Sequence, residues 1–323
     1  MHPSQTTRAL AVSSVLLLLS VDVASAQIGG ALRRAAERAS DRVDISSLLS
    51  GDPPITTSLT DAVFADEGRD GFTPDSAVRA LAGLERNREG AFVLEPGYFE
   101  MHTQSYCLKA GTHGPGGGDG YLFAPTQGPA EEFVIDIVRS SVFHPDIAQR
   151  DIQVLLWAII ARTKFEDLPT SLKVTASKLL NARQLASLNR NALDLVPGPA
   201  LDRALDNVPS LVRQVLRAEA QLRQMLVDPA SSFEQLEAVA VLAGMAGMGE
   251  GSREVPSGRW SMHPDGYYIR YLPRGYSYTV VQIWVPDDSP AIGKAYDPAL
   301  HIAVPGNTSR QRLIQSGRAH TTS

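Results

Sequence analysis

The sequence predicts an α+β protein in which a strand-and-loop region is followed by a mainly helical body and a C-terminal β-hairpin. Near residue 100, apolar and polar residues alternate as they do in a strand. From about residue 129 onward, apolar residues recur at the spacing of amphipathic helices. Beyond residue 265, aromatic and β-branched residues dominate two runs that a turn sequence separates. The order of these three patterns along the chain gives the predicted fold class.

The first 26 residues have the pattern of a secretory signal peptide. Arg8 precedes an apolar run from Ala9 to Leu19, and Ala24-Ser25-Ala26 provides small residues for cleavage. The run is shorter than the roughly 20 apolar residues that a membrane-spanning helix needs. We therefore expect cleavage rather than anchoring, a mature chain without an integral membrane span, and a periplasmic or secreted protein.

The rest of the chain divides at clusters of glycine, proline and polar residues, which interrupt regular structure. Such clusters occur at Gly51-Asp52-Pro53-Pro54 and from Met245 to Gly251, and the C-terminal tail is polar. We expect an N-terminal helix and irregular linker at 27–90, a strand and helical domain at 91–250, a β-rich segment at 251–310 and a disordered tail at 311–323.

Composition limits the classes of partner. The chain carries a net charge of -5 with 20% charged residues, so it lacks the basic excess of a nucleic-acid-binding surface. A protein, a glycan or a small molecule is the expected kind of partner, and the oligomeric state is not predicted. The single cysteine excludes an internal disulfide. Its thiol therefore pairs with another molecule, takes part in a reaction, or is simply a small buried apolar group.

That cysteine, Cys107, ends a strand predicted from Tyr98 to Leu108. The alternation places Phe99, Met101 and Cys107 on one face of the strand. A glycine-rich stretch at residues 110–120 follows. It lacks the spacing and the lysine of a phosphate-binding loop, so we interpret it as a flexible turn or lid.

A buried helix is predicted from Ile152 to Thr163, because its residues are apolar nearly all round. Asp146 or Asp151 is a candidate cap for it. Gln153 lies in its first turn and would point into apolar surroundings, where an amide costs a few kcal/mol unless it is hydrogen-bonded. A helix beginning at Pro129 precedes it. Other helices are expected at 171–180, 182–193, 200–227 with a break at Pro209, and 232–245, with a hairpin at 267–272 and 276–285.

At two short motifs the sequence resembles the thioester domains of bacterial surface adhesins. The motifs are Tyr106-Cys107-Leu108 and Ile152-Gln153-Val154-Leu155-Leu156-Trp157, and the resemblance covers about residues 98–165. It implies that Cys107 supplies the sulfur and Gln153 the acyl carbon of an internal thioester, formed with loss of ammonia. Amines on a protein or cell surface would attack this bond, giving covalent adhesion. The chain departs from the family pattern at Lys109, where an acidic residue is frequent.

Two other readings of Cys107 stay open. In a cysteine hydrolase acting on the cell wall, Cys107 would be the nucleophile, His113 or His144 the base and Asp151 the orienting residue. A strand end differs, however, from the helix N-terminus that usually lowers the pKa of a catalytic thiol. In a non-catalytic binding or structural protein, Cys107 and Gln153 would be ordinary core residues. The sequence favours a non-enzymatic role without excluding an enzyme.

Metal and cofactor sites are not expected. The residues Glu100, His102, His113 and His144 are chemically suited to zinc, but their spacing matches no metal-binding signature. The sequence contains no other pattern that indicates a cofactor.

Overall fold

A computed structural model describes residues 52–116, 118–190, 192–195 and 198–321. The predicted signal peptide and the predicted N-terminal helix lie outside the described residues. Two compact units divide the chain, and residues 198–208 belong to the smaller one. The remaining described residues belong to the larger unit, which contains the barrel and the candidate site.

The larger unit is built on a closed, six-stranded antiparallel β-barrel. The described strands are β1 (Val78–Ala80), β2 (Phe92–Val93), β3 (Gly97–Cys107), β4 (Thr112–His113), β5 (Tyr121–Pro125), β6 (Val241–Leu242), β7 (Ser261–Met262), β8 (Tyr268–Pro273), β9 (Tyr278–Val285), β10 (Ala295–Tyr296), β11 (His301–Pro305) and β12 (Leu313–Ala319). The barrel runs in the order β3-β12-β11-β5-β8-β9, and β9 returns to β3 to close it. Closure leaves these six strands without a free edge.

The predicted fold class is wrong. The body is not mainly helical, because the strand content is large and the barrel organises the chain. The predicted C-terminal hairpin exists as β8 and β9, but these are two of the six strands of the barrel. The tail predicted to be disordered contains β12, which lies between β3 and β11. Its sequence, with Gln315, Ser316 and Gly317, lacks strand-like alternation, and it is ordered by pairing with strands on both sides.

Seven α-helices occur in the described part of the chain. They are α1 (Glu131–Ser140), α2 (Gln149–Ile160), α3 (Thr170–Leu179), α4 (Ala182–Arg190), α5 (Gly198–Leu205), α6 (Ser210–Val227) and α7 (Phe233–Ala240). The break at Pro209 is confirmed, since α5 ends before it and α6 begins after it. Helix α2 begins earlier than predicted, so Asp151 lies in its first turn and does not cap it. Within the described ranges, no helix is both long and apolar enough to cross a bilayer.

Two large buried clusters lie in the larger unit. The first draws side chains from all six barrel strands and includes Phe99, Tyr271 and Leu313. The second packs α1, α2, α3, α6 and α7 against the end of β3, where Cys107 lies. The buried faces are continuous apolar surfaces, and their removal from water is the main favourable term in folding. Cys107 thus lies where the barrel meets the helical layer.

Candidate functional site

The pairing of β3 with β12 fixes the surroundings of Cys107. Leu313 lies directly opposite Cys107 in this antiparallel ladder. Beyond it, the backbone N–H of Leu108 donates to the carbonyl oxygen of Arg312 over 3.0 Å. Because of this register, Gln311, which precedes β12, lies beside the end of β3. Cys107 and Gln311 are 204 positions apart in the sequence.

The side chain of Gln153 binds the backbone of Cys107. Its Oε1 accepts from the N–H of Cys107 at 2.8 Å, and its Nε2 donates to the carbonyl oxygen of Cys107 at 3.1 Å. Only 2% of Gln153 is exposed. These two hydrogen bonds give the buried amide partners, and without partners its burial would cost free energy. The structure thus brings together the two residues singled out from the sequence, through the main chain of Cys107.

The sulfur of Cys107 contacts a different glutamine. Its Sγ donates to Oε1 of Gln311 over 2.6 Å. Nε2 of Gln311 donates to the carbonyl oxygens of Thr112, at 2.8 Å, and Ala240, at 2.9 Å. Both Cys107 and Gln311 are fully buried. Three hydrogen bonds therefore hold the Gln311 carboxamide against the thiol.

Sequence reasoning missed Gln311, because it was assigned to the disordered tail. The available signal was weak. Gln311 is followed after one residue by Leu313 and Ile314, which stand out as an apolar pair in a polar stretch. Such a pair is too short to predict a strand by itself.

Burial sets the protonation state of the Cys107 thiol. Exclusion from water raises the pKa of Cys107 to about 11, against the opposing effects of the Trp157 indole N–H and the Lys109 backbone N–H. The Trp157 Nε1 atom is buried and has no hydrogen-bond acceptor among the described residues. Its ring stacks on Phe233 with centroids 5.7 Å apart. The indole N–H thus opposes the rise in the thiol pKa, while the resting group is a neutral thiol.

Two half-buried charged groups, Lys109 and Glu219, lie near the end of β3. Burial lowers the pKa of Lys109 to about 7, with a further contribution from the positive charge of Arg312 and opposition from Glu219. Lys109 donates from Nζ to the carbonyl oxygen of Thr308 at 3.0 Å. Burial likewise raises the pKa of Glu219, on α6, to about 7. Near neutral pH, both groups are therefore close to their midpoints of ionisation.

Two of the candidate hydrolase residues form ion pairs on the surface, whereas the carbonyl oxygen of His113 accepts from the backbone N–H of Gln311 at 2.8 Å. His144 faces Asp146 at 4.0 Å, and Asp151 faces Arg150 at 3.9 Å on an exposed surface. His113 is in β4, and its Nδ1 is buried with no hydrogen-bond partner in the described structure. Among the hydrogen bonds of the described residues, that of the Cys107 sulfur goes to Gln311 and none joins it to a histidine.

The residues considered for zinc do not form a site. His102 binds Glu100 at 3.0 Å and also Tyr278, on the surface of β3. In the described part of the chain, no group of three or more histidine, cysteine, aspartate or glutamate side chains is arranged to hold a metal ion.

The glycine-rich stretch is held in place at several points. A Cβ at Gly111, whose φ is 69°, would lie 2.6 Å from the Cβ of Ala218, so only glycine fits against α6. Arg310 donates to the carbonyl oxygen of Gly114 at 2.6 Å and pairs with Asp119 at 2.8 Å. These contacts hold the stretch at Gly111, Gly114 and Asp119, beside the residues that bind the Gln311 carboxamide.

Compared with known proteins, the chain matches no family model, no curated protein and no solved structure. Functional inference therefore depends on the chemistry of the site. A thiol fixed against a primary carboxamide, in a pocket that excludes water, can react with that carboxamide by acyl transfer, because proximity and orientation replace a bimolecular encounter.

Proposed function

We propose that this chain forms an internal thioester at Cys107 and uses it to attach covalently to amines on a protein or cell surface. The observation that carries the proposal is the hydrogen bond of 2.6 Å between the Cys107 sulfur and Oε1 of Gln311, with both residues fully buried. On this geometry, Gln311 is the preferred acyl donor. Gln153, the donor implied by the sequence resemblance, is the alternative, and its carboxamide reaches the backbone of Cys107 instead.

The chemistry balances without another reactant. Sγ attacks the side-chain carbonyl carbon of the glutamine, so that an S–C bond forms and a C–N bond breaks. The thiol proton leaves with the nitrogen as ammonia. When an amine later attacks the same carbon, the S–C bond breaks, an amide forms and a proton from the amine returns to the sulfur. The protein is then joined to its target through an amide.

Three features support this proposal over a cysteine hydrolase. Burial raises the pKa of the thiol to about 11, whereas a catalytic cysteine needs a thiolate near neutral pH. The hydrogen bonds of the described residues include none from a histidine to the sulfur. The burial of the sulfur would also protect a reactive acyl bond from water.

A non-catalytic binding or structural protein is the second candidate. The observation that favours it is the complete satisfaction of both carboxamides by hydrogen bonds, which is expected of ordinary buried glutamines. Export to the periplasm or the cell exterior is part of the proposal in either case. Its support is the leader pattern of residues 1–26.

The test is the intact mass of the purified mature chain before and after incubation with methylamine. We expect a mass lower than the sequence mass by one ammonia, and a gain of one methylamine on incubation. Cys107→Ala should have the full sequence mass and should not react. A wild-type chain of full sequence mass, with a thiol that titrates only on unfolding, would support the non-catalytic candidate instead.

A further inference from the structure

The nitrogen of the Gln311 carboxamide has a binding site of its own. Nε2 donates one hydrogen to the carbonyl oxygen of Thr112 at 2.8 Å and the other to the carbonyl oxygen of Ala240 at 2.9 Å. Both acceptors belong to fully buried residues. They are backbone atoms in fixed positions, one in β4 and one at the end of α7. The two acceptors therefore match a nitrogen that carries two hydrogens.

Thioester formation would remove that nitrogen as ammonia and leave both carbonyl oxygens without this donor. The Ala240 oxygen would keep a second bond, from the N–H of Gly111 at 2.8 Å. A buried acceptor that loses its donor costs free energy, so a new donor at this position is favoured. By microscopic reversibility, ammonia would return to the carbonyl carbon along the path by which it left. A primary amine, with two hydrogens on nitrogen, can follow the same path.

We propose that the carbonyl oxygens of Thr112 and Ala240 form a subsite that holds the attacking nitrogen and selects primary amines. This inference rests on the proposed thioester and identifies the class of nucleophile that the thioester accepts. In the subsite, both N–H groups are bound while the lone pair of the nitrogen faces the acyl carbon. A secondary amine has one N–H group and can bind only one of the two carbonyl oxygens, and an alcohol does the same. Water also offers two donors, but it is a far weaker nucleophile toward a thioester.

The surroundings of the subsite indicate where the rest of the amine would lie. A groove of about 550 Å³ is lined by residues that include Gly111, Ala238 and Val239. Gly111 precedes Thr112 in the chain, and Val239 precedes Ala240, so two residues that line the groove are chain neighbours of the two residues that carry the acceptors. An unbranched substituent, such as the side chain of a lysine on a partner protein, can extend from the nitrogen into this groove. Gly111 lines the groove and its N–H donates to the acceptor oxygen of Ala240, so opening of this hydrogen bond is the route that we propose for entry of the amine.

The experiment compares ethylamine with dimethylamine, which are isomers. The full mature chain is incubated with each amine separately, and the rate of covalent addition is followed by intact mass. A small synthetic alkyl thioester, treated with both amines at the same pH, gives their intrinsic rate ratio. We expect the ratio in the protein to be shifted toward ethylamine by about tenfold, the factor for one lost hydrogen bond to a buried acceptor. Azetidine is a secondary amine whose ring reduces steric hindrance at the nitrogen. It therefore distinguishes the effect of having one N–H group from the effect of bulk, and it should react as slowly as dimethylamine.

Each outcome has a distinct meaning. If the chain shows the loss of ammonia and reacts with both isomers in the intrinsic ratio, the subsite does not exist although the thioester does. Rapid addition of azetidine together with slow addition of dimethylamine would also overturn the subsite, because bulk alone would then explain the selection. If the chain shows no loss of ammonia, the proposed thioester fails, and the subsite fails with it.

Discussion

The two glutamines beside Cys107 come from contrasting regions. Gln153 belongs to α2, a buried helix whose position could be predicted, and both ends of its carboxamide bind the backbone of Cys107. Gln311 belongs to a polar segment in front of β12, and its oxygen accepts from the sulfur while its nitrogen binds two carbonyl oxygens. One region fixes the main chain of the cysteine, and the other presents an acyl group to the side chain. Under the proposed thioester chemistry, closeness to Cys107 is not sufficient, because the atom that each carboxamide contacts decides whether it can be the acyl donor.

The largest expected effect is the loss of the thioester in Gln311→Ala. We expect this variant to have its full sequence mass and to be inert to methylamine, whereas Gln153→Ala should keep a fraction of molecules that have lost ammonia. Gln315→Ala is the matched control, because Gln315 is a fully buried glutamine on β12 that does not bind the sulfur. If folded Gln153→Ala lacks the mass deficit and Gln311→Ala retains it, Gln153 is the acyl donor and the division of roles is reversed.

The second effect concerns stability. Here Gln153→Ala should have the larger effect and Gln311→Ala the smaller one. Gln153→Ala leaves the buried N–H and carbonyl of Cys107 without partners, which should lower the free energy of unfolding by about 2–4 kcal/mol. Gln311→Ala should cost less, because the Ala240 oxygen still accepts from Gly111. Urea unfolding of both variants, each in the Cys107→Ala background so that no thioester contributes, measures this difference. Equal losses would mean that the two carboxamides are equivalent structural groups.

A smaller effect is expected from the indole of Trp157. Trp157→Phe removes the indole N–H, which acts to lower the pKa of the Cys107 thiol, and keeps an aromatic ring in the core. We expect the thioester to form about fivefold more slowly after refolding, the equivalent of about 1 kcal/mol for one hydrogen bond to a developing thiolate. The time course of the mass deficit gives the rate. Phe233→Leu, which changes the ring stacked on Trp157 without removing the N–H, should form the thioester at nearly the wild-type rate.

The same contrast explains which parts of the site could be predicted. The helix that carries Gln153 has an unmistakable apolar pattern, and the strand that carries Cys107 alternates over its first half, so both were found. Gln311 was missed because β12 is ordered by pairing with β3 and β11, not by its own sequence. Burial on both faces also removes the alternation, as in β11, where every residue is buried. The barrel was missed for the same reason, since strands distant in sequence close it.

The smallest effect tests whether the charged residues near the end of β3 influence the site through pH. Burial raises the pKa of Glu219 from 4.5 to about 7, although the positive charges of Arg162, Arg223, Arg312 and Lys109 act in the other direction. The folded state therefore binds a proton more tightly than the unfolded state. This contribution to stability is fully present below pH 4.5 and is lost as the pH rises through about 7.

Glu219→Gln lacks this titration. Its free energy of unfolding relative to wild type should therefore rise between pH 4.5 and pH 7, by an amount on the order of 1 kcal/mol because the side chain keeps some contact with solvent. Urea unfolding at pH 5 and at pH 7 measures the change, and Glu234→Gln on the exposed start of α7 is the control. A difference that is constant with pH, or that falls, would show that Glu219 is ionised in the folded protein throughout this range. Its charge would then be matched by the surrounding cations, and the region near Lys109 would not couple the site to pH through Glu219.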